Sequence, residues 1–373
     1  MGSAYTPGLT VSADQIVHKV RRLPLKGEVL VKVGDSVEPT TVAARTELPG
    51  VLQAVKIAEK LGVEAKDVPS LLKVSIGDPV TAGEQLAESK GIFGMFKSMC
   101  ICDYNGTAES LSEATGTLLV REAPIPVEIT AYVRGKVVDI LPEEGAIIET
   151  RGAMVQGIFG VGGERQGEIH VVVSSAADVL DRSHIKDEHR GCILVGGSGI
   201  SYVAMLRAAE IGVVGLIAGA IRDVDLTKYL GYDIGVAITG QEAIPLTIIA
   251  TEGFGELAMA QRTFELLQSL EGKQASVNGA TQIRAGVIRP EVIVPSDNPP
   301  AGEPKEDAGG MLEHGTPIRI IREPYFGAIG KVVGLPAELQ VVESGTEVRV
   351  LKAMLEDGRE VTVPRANVEI LAS

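Results

Sequence analysis

The sequence predicts a multidomain α+β protein in which a central α/β domain lies between two β domains. Three observations lead to this prediction. Short strand-turn-strand patterns recur up to residue 165, buried apolar strands then alternate with helical patterns up to residue 295, and hairpin patterns return after residue 310. Because helices and strands differ in hydrophobic periodicity, each change of pattern indicates a change of domain.

The composition is that of a folded, β-rich chain. Its 373 residues are enough for two or three domains with cores of their own. Apolar residues make up 45% of the chain, which is too many for a disordered protein. Aromatic residues make up 3% and Trp is absent, so the cores must consist of Val, Ile, Leu and Ala, which suits β structure.

The net charge is acidic. Lys and Arg number 35 and Asp and Glu number 49, a difference of −14. A surface of this charge repels phosphate and disfavours extended binding to nucleic acid. Residues 1–22 are interpreted as a solvated N-terminal arm, and its basic residues, His18, Lys19, Arg21 and Arg22, as part of its surface.

The lack of a recognisable targeting signal and the small number of cysteines favour the cytoplasm. No run of about 18 apolar residues predicts a membrane span, and the first residues lack the pattern of a signal peptide. Cys100, Cys102 and Cys192 are too few for a disulfide framework. Cys100 and Cys102 either bind a soft metal, undergo redox exchange, or lie partly buried in a strand. Without further ligands nearby, burial is favoured and no metal or cofactor is predicted.

Residues 23–165 are predicted to form a small antiparallel β domain. Residues 23–39, 71–88 and 133–152 each contain a β run, a turn with Gly and an acidic residue, and a second β run, and residues 105–122 are a weaker copy. Between the first two copies, Val51, Val55, Ala58 and Leu61 are spaced as in a helix that ends at Gly62. We expect this inserted helix to pack on the edge of the sheet.

The Gly77-Asp78 turn and its flanking strands resemble biotinyl/lipoyl-type domains, which have the barrel-sandwich hybrid fold. Residues 23–165 are also similar to the unmodified domain in the C subunit of Rnf-type electron-transfer complexes. The first family carries a modified lysine at a hairpin tip, and Lys97 is the candidate here. Lys97 follows Gly77 at a longer distance than the family requires, and neither Met-Lys-Met nor Asp-Lys-Ala is present. The sequence therefore argues against its modification.

Residues 166–295 are predicted to form an α/β domain. Residues 192–221 contain a buried strand, a Gly turn, a helix, a second Gly and another buried strand. This order is that of a β-α-β unit with parallel strands. Residues 232–240 and 245–253 are predicted as further strands, and residues 256–272 as an amphipathic helix.

The Gly turn of this unit has two interpretations. Gly196, Gly197, Ser198 and Gly199 follow a strand and precede a helix, where backbone N–H groups can bind an anion. Alternatively, the glycines allow a tight turn and close helix packing, which is favoured because no phosphate-binding or nucleophile motif is complete. Arg284 either assists the anion or pairs with an acidic residue such as Glu242 or Glu291.

The same segment resembles the swivelling β/β/α domains of phosphotransfer enzymes. Those domains carry a reactive histidine on a neighbouring loop, and His184 and His189 are the local candidates. Both lie among charged residues typical of a solvated loop. A phosphohistidine is therefore not expected.

Residues 296–310 are rich in Pro, Gly and acidic residues and are predicted to be a linker. Residues 311–373 form the last predicted unit, with a hairpin turn at Asp357-Gly358. Residues 315–335 look like a KOW motif, as in NusG-type transcription elongation factors and several ribosomal proteins. This resemblance implies an SH3-like barrel.

The KOW resemblance implies a binding surface for RNA, ribosomal protein or RNA polymerase. Candidate partner-binding residues are Arg322, Tyr325, Phe326 and Arg365. This unit has seven basic and nine acidic residues, a net charge of 7 − 9 = −2. The charge weakens RNA binding and leaves protein binding open.

No catalytic set of residues is found, so we expect a non-enzymatic cytoplasmic scaffold or adaptor that binds protein partners or further copies of itself. One alternative is binding of a small anionic ligand by the α/β domain within an enzyme complex. The other is binding of RNA, the ribosome or RNA polymerase through the KOW unit.

Overall fold

The computed structural model describes residues 9–89, 97–233, 239–282, 288–299, 312–320, 325, 328–336, 339–341, 347–355 and 357–370. Strands predominate over helices in this part of the chain, and several sheets are curled. This strand-rich structure is compatible with the predicted multidomain α+β protein. The predicted domain limits and the finer fold types stay predictions.

The first part of the chain contains short strands and one short helix. They are β1 (Val11–Arg22), β2 (Glu28–Val29), β3 (Ser36–Val37), β4 (Val42–Leu48), β5 (Leu52–Lys56), α1 (Ile57–Leu61), β6 (Pro79–Val80), β7 (Gln85–Glu88), β8 (Met99–Ile101), β9 (Gly106–Ser112), β10 (Thr117–Arg121), β11 (Ile125–Thr130), β12 (Gly135–Leu141), β13 (Gly145–Gln156) and β14 (Phe159–Val161).

The remaining elements alternate strands and helices before the chain returns to strands alone. They are β15 (Glu164–Val171), β16 (Val179–Leu180), β17 (Ile193–Val195), β18 (Gly199–Ile200), α2 (Tyr202–Ile211), β19 (Gly215–Ile221), α3 (Asp223–Leu230), β20 (Thr247–Phe254), α4 (Gln261–Ser269), β21 (Gln274–Asn278), β22 (Glu291–Pro295), β23 (Pro317–Ile320), β24 (Ile329–Gly334), β25 (Leu339–Val341), β26 (Glu347–Leu355), β27 (Glu360–Pro364) and β28 (Val368–Ile370).

One long sheet organises the middle of the molecule. Its strand order is β14-β20-β19-β17-β15-β21-β22-β13-β12-β3, and β1 also pairs with β13. Strands β15, β17, β19 and β20 are parallel to one another. Helices α2 and α3 pack on one face of these strands and α4 on the other. Because both faces are covered, the strands read as continuous apolar runs in the sequence.

The predicted β-α-β unit is confirmed as β17, α2 and β19. Helix α2 begins at Ser201, whose hydroxyl accepts a hydrogen bond from the N–H of Ala204, and ends at Gly212 with a φ of +89°. The helix predicted at residues 256–272 begins later than expected, at Gln261, because Ala260 is extended. Most of the strand predicted at residues 232–240 lies outside the described residues.

The stretch interpreted as a solvated arm contains a strand of the sheet. β1 pairs with β13 from Val11↔Val155 to Arg22↔Gly145. Its inward side chains include the buried Val17. The basic residues near its end suggested solvent exposure, but Lys19 and Arg21 are only 20% and 14% exposed and pair with Glu291 and Glu164.

The same sheet crosses the predicted boundary at residue 165. β13 pairs with β22, near the end of the predicted α/β domain, through Gly152↔Pro295 to Gln156↔Glu291. β15 pairs with β21 in its first half and with β17 in its second half. The two predicted domains therefore share one continuous sheet.

The predicted β domain contains two units, one inserted into the other. β4 and β11 are antiparallel neighbours and Leu48 pairs with Ile125, so residues 49–124 form an insertion at the tip of this hairpin. We call residues 49–124 the inner unit, and residues 11–48 with 125–156 the outer unit. The two have separate hydrophobic cores. We call the place where the two chain segments join the inner unit to the outer unit the neck. There, a Cβ atom on Gly50 would lie 1.9 Å from the carbonyl oxygen of Glu122, so this close approach requires glycine.

The inner unit repeats the hydrogen bonding of the outer unit. In the outer unit, the N–H of Gly34 donates to the carbonyl of Val137 at 2.8 Å. In the inner unit, the N–H of Gly77 donates to the carbonyl of Ala108 at 2.7 Å. The antiparallel pairs β1–β13, β3–β12, β4–β11 and β12–β13 correspond to β5–β10, β6–β9, β7–β8 and β9–β10. The four similar stretches in the sequence are thus two pairs, one pair in each unit.

The helix predicted around Val51 to Leu61 is wrong over its first half. Residues Leu52–Lys56 form β5, which pairs with β10, and α1 spans only Ile57–Leu61. The buried Val55 fits both periodicities, and pairing with β10 decides for the strand. The predicted end at Gly62 is confirmed by its φ of +67°.

The described strands after residue 312 form one curled sheet. Its order is β25-β26-β24-β23-β28, and β27 also pairs with β26. Ile318, Val332 and Leu351 are among the residues of its core. The predicted turn at Asp357-Gly358 joins β26 to β27, and Gly358 has a φ of +84°.

Candidate functional site

The Gly turn lies at the carboxyl end of β17, where an α/β sheet commonly binds ligands. The N–H of Gly196 donates to the carbonyl of Ile217 at 2.8 Å. The N–H groups of Gly197 and Ser198 donate to the carbonyl of Asp178 at 3.1 and 2.8 Å. These three backbone donors are therefore engaged within the protein.

Steric contacts explain the glycines of this turn. A Cβ atom on Gly197 would lie 2.4 Å from the carbonyl oxygen of Ser175, and one on Gly196 would lie 2.7 Å from the Cβ of Leu180. Gly199 is part of β18 and pairs with Val179. This geometry favours the tight-turn interpretation over anion binding.

The loop facing the Gly turn is held by Asp178. Its carboxylate accepts hydrogen bonds from the N–H groups of Ser174 at 3.0 Å and Ser175 at 2.8 Å. Hydrogen bonds from Ser175, and to a smaller extent from Ser174, lower the pKa of Asp178. The carboxylate is therefore a structural acceptor.

Arg284 lies outside the described residues. Both acidic residues that the sequence offers as its partners have other contacts. The carboxylate of Glu242 accepts hydrogen bonds from the N–H groups of Gly162 and Gly240, each at 2.8 Å. Glu291 lies 2.5 Å from the ammonium group of Lys19.

An open depression of about 540 Å³ lies beside α2. It is lined by Asp181, Arg182, Ser183, Ile185 and Arg207. The guanidinium of Arg207 contacts Asp187 at 2.6 Å and Glu210 at 3.0 Å. The depression is therefore surrounded by both positive and negative side chains, and neither charge predominates strongly.

His184 and His189 have the same structural role. The Nδ1 of His184 accepts a hydrogen bond from the N–H of Asp181 at 3.1 Å, and the Nδ1 of His189 accepts one from Lys186 at 3.2 Å. Each ring thereby closes a short 3₁₀ turn. Burial lowers the pKa of His189, opposed by the charge of Glu188. In both contacts the Nδ1 atom is the acceptor for a backbone N–H group, and the two histidines thereby stabilise the loop.

Lys97 forms an ion pair at the end of the β7–β8 hairpin where the two strands are connected. Its Nζ lies 2.9 Å from Glu88, and the Nζ of Lys73 lies 2.5 Å from the same carboxylate. Lys73, and next Lys97, lower the pKa of Glu88 from 4.5 to about 2. This pairing accounts for Lys97 without a covalent modification.

Two of the predicted partner-binding residues, Arg322 and Phe326, lie outside the described residues. The Tyr325 ring packs against the core of the C-terminal sheet, with its centroid 6.0 Å from the guanidinium of Arg359. Arg365 donates from Nε to the carbonyl of Val350 at 3.0 Å and from Nη2 to that of Pro336 at 2.8 Å. Tyr325 and Arg365 thus have contacts within their own unit.

An ion pair that the sequence does not predict joins two units. The Nη1 of Arg319 on β23 lies 2.5 Å from the carboxylate of Glu252 on β20, and their side chains are only 13% and 10% exposed. The other carboxylate oxygen of Glu252 accepts a hydrogen bond from the N–H of Ala260 at 3.0 Å. The contact joins the C-terminal sheet to the parallel strands, and no local pattern could have indicated it.

A second missed cluster surrounds Tyr132. This side chain is buried and its φ is +69°, which is unusual for an aromatic residue. The guanidinium of Arg21 lies 5.4 Å from the ring centroid and contacts Glu164 at 2.6 Å. Burial, together with Glu291 and Glu164, raises the pKa of Tyr132 well above its ordinary value. The ring therefore stays neutral and packs below the basic residues of β1.

The described parts of the chain contain no group of three or more His, Cys, Asp or Glu side chains arranged to hold a metal ion. Cys100 and Cys102 are buried, and the Sγ of Cys102 donates to the carbonyl of Tyr104 at 3.1 Å. Burial raises the pKa of Cys100. Among the helices in the described ranges, none is long and apolar enough to span a membrane.

Comparisons with known proteins found neither a matching family model nor a matching curated protein.

Proposed function

We propose that this protein is a non-enzymatic cytoplasmic scaffold or adaptor that binds protein partners through its β units. The observation that carries the proposal is the inner unit, a β unit with its own core at the tip of a hairpin of the outer unit. A unit attached through one narrow neck keeps most of its surface available to partners. Such an arrangement suits binding better than catalysis in a buried cleft.

Exposed apolar side chains on the inner unit support the proposal. Ile76, Met99 and Ile101 are 53%, 60% and 44% exposed. Apolar side chains that remain exposed beside a well-packed core are frequent at protein-binding surfaces when they lie together. Met99 and Ile101 do, because they are alternate residues of β8.

The proposal includes the finer fold types. The outer and inner units are proposed to be barrel-sandwich hybrid domains, supported by their matching Gly-Asp turns and strand pairings. The middle unit is proposed to be of the swivelling type, and residues 311–373 a KOW-type SH3-like barrel. The order of strands and the Asp357-Gly358 turn support the last assignment.

Affinity capture of the tagged full-length protein from its own host, read by mass spectrometry with and without nuclease, tests the function. We expect recovery of the same partner, or of further copies of the chain, in both arms. A protein that stays monomeric in light scattering and captures nothing would contradict the scaffold proposal.

The nuclease arm of the same experiment tests the first alternative function, and a separate thermal-shift assay tests the second. Ribosomal or polymerase subunits that disappear on nuclease treatment would favour nucleic-acid binding, and that binding would weaken with salt. The small anionic ligand of the α/β domain, predicted at Gly196, Gly197, Ser198, Gly199 and Arg284, is tested by thermal shift with nucleotides and phosphorylated metabolites. A ligand that binds only the native state raises the melting temperature.

A further inference from the structure

The outward face of the β7–β8 hairpin combines apolar and polar side chains, and lysines border it. A bulge between Gln85 and Ala87 brings Gln85 and Glu88 to the same side, opposite Ile101 and Met99 on β8. We call these four outward residues, Gln85, Glu88, Met99 and Ile101, the hairpin face. The alternate residue Cys100 points into the core, which confirms the direction of its neighbours.

The duplicated outer unit provides an internal comparison for this face. β4 and β11 have the same bulge, and Glu128 and Thr130 occupy the positions that correspond to Met99 and Ile101. The fold therefore accepts polar residues at both positions. The hairpin therefore does not require apolar side chains at Met99 and Ile101, which are nevertheless apolar and well exposed.

Lysines border the hairpin face on both sides. Lys73 contacts Gln85 at 2.9 Å and Glu88 at 2.5 Å, and Lys97 shares Glu88. On the other side, the Nζ of Lys60 in α1 lies 2.8 Å from Asp103 and 3.4 Å from the carbonyl of Ile101.

The border is locally basic. Three ammonium groups, of Lys60, Lys73 and Lys97, face two carboxylates, of Glu88 and Asp103, a local charge of 3 − 2 = +1 on a chain of net charge −14. The three lysine side chains remain 41%, 44% and 53% exposed. They can therefore turn toward an incoming negative charge.

We propose that the hairpin face binds an acidic segment of a partner protein, with apolar side chains of that segment lying on Met99 and Ile101 and its carboxylates meeting Lys60 and Lys73. The charge of the border selects an acidic partner over a basic one, and the apolar centre supplies the contact area. This inference rests on the proposed scaffold function and names the surface and the chemistry of its partner.

Selection from a display library of random ten-residue peptides on the immobilised full-length protein tests the proposal. We expect the enriched peptides to combine Asp or Glu with apolar residues. Their affinity should fall at least about tenfold when Met99 and Ile101 are both changed to Ser, as for central residues of an interface. It should fall several-fold for Lys73→Glu and weaken as the salt concentration rises.

Matched variants keep the test specific. Ile329→Ser with Met354→Ser removes two comparably exposed apolar side chains of the C-terminal sheet and should leave the peptide affinity unchanged. Circular dichroism melting confirms that each variant is folded. A library that yields no peptide, peptides without acidic residues, or peptides that bind M99S/I101S as tightly as the unchanged protein would overturn the proposal.

Capture experiments separate this inference from the scaffold function. If the M99S/I101S variant captures the same partner as the unchanged protein, the hairpin face is the wrong surface and the scaffold function stands. If the unchanged protein captures nothing, the scaffold function itself fails. Self-association that is lost in M99S/I101S would make a second copy the occupant and overturn the acidic-segment proposal.

Discussion

At the scale of single residues, glycines and paired carboxylates determine the local geometry of this protein. Gly197 allows two backbone segments to approach, and Glu88 holds two lysines at the connected end of a hairpin. Both features occur where a ligand-binding turn and a modified lysine were the less favoured interpretations of the sequence. Their contacts explain them through packing and ion pairing.

Replacing Gly197 by Ala should destabilise the protein by about 2 kcal/mol or more, a size typical of substitutions that force the backbone to move. The new Cβ would lie 2.4 Å from the carbonyl oxygen of Ser175 and 2.5 Å from that of Asp178. Urea unfolding measures the loss. Gly199→Ala is the control, because its Cβ would lie 3.8 Å from the nearest atom, the Ala220 oxygen. Equal stability of the two variants would refute the steric explanation.

Glu88 should contribute to the acid sensitivity of the fold. Its pKa in the folded protein is about 2, against an ordinary value of 4.5. The stabilisation is therefore complete above pH 4.5 and is lost as the pH falls toward 2. The melting temperature of Glu88→Gln, followed from pH 6 to about 2, should fall less steeply than that of the unchanged protein. Glu38→Gln, at an exposed position, should follow the unchanged protein; an identical slope for Glu88→Gln would contradict the assignment.

At the scale of elements, the duplicated β unit shows how one unit is carried by another. The outer hairpin β4–β11 and the inner hairpin β7–β8 are equivalent, with the same strand pairings and the same bulge. At the tip of the outer hairpin the chain continues into the inner unit. This equivalence explains why four stretches of the sequence resemble one another.

Removing the inner unit should leave the rest of the protein folded. Leu48 and Ile125 are cross-strand partners, so an Asn-Gly turn in place of residues 49–124 can join β4 to β11. We expect one cooperative thermal transition and hydrogen exchange in β13 like that of the full chain. The control is the full chain with the same Asn-Gly turn inserted next to residues 49–124. If this control folds and the shortened protein does not, the two cores depend on each other.

At the scale of the whole molecule, the shared sheet and the Glu252–Arg319 pair connect parts that look independent in the sequence. β13 links the outer unit to β22, and the ion pair links the C-terminal sheet to β20. The two side chains are 13% and 10% exposed, so breaking the pair should cost less than the about 3–5 kcal/mol typical of fully buried pairs.

Arg319→Ala should therefore raise hydrogen exchange in both Thr247–Phe254 and Pro317–Ile320. Mass spectrometry of the exchanged peptides measures this directly. Arg359→Ala, which removes an exposed pair within the β26–β27 turn, should leave the exchange of Thr247–Phe254 unchanged. If Arg319→Ala alters only its own strand, the pair does not hold the two units together.

The sequence alone predicts the Gly-Asp turns, the β17-α2-β19 unit, the end of α1 at Gly62 and the turn at Asp357-Gly358. These depend on backbone dihedral angles and on periodicity within about 20 residues, which a local pattern carries. It also identified the Gly turn as a tight turn, from an incomplete motif. Long-range contacts are needed to show that β1 joins the sheet, that residues 49–124 form an inserted unit, and that Glu252 pairs with Arg319. Each of these brings together residues that are distant in the chain, and their energies come from pairing and burial that no local pattern records.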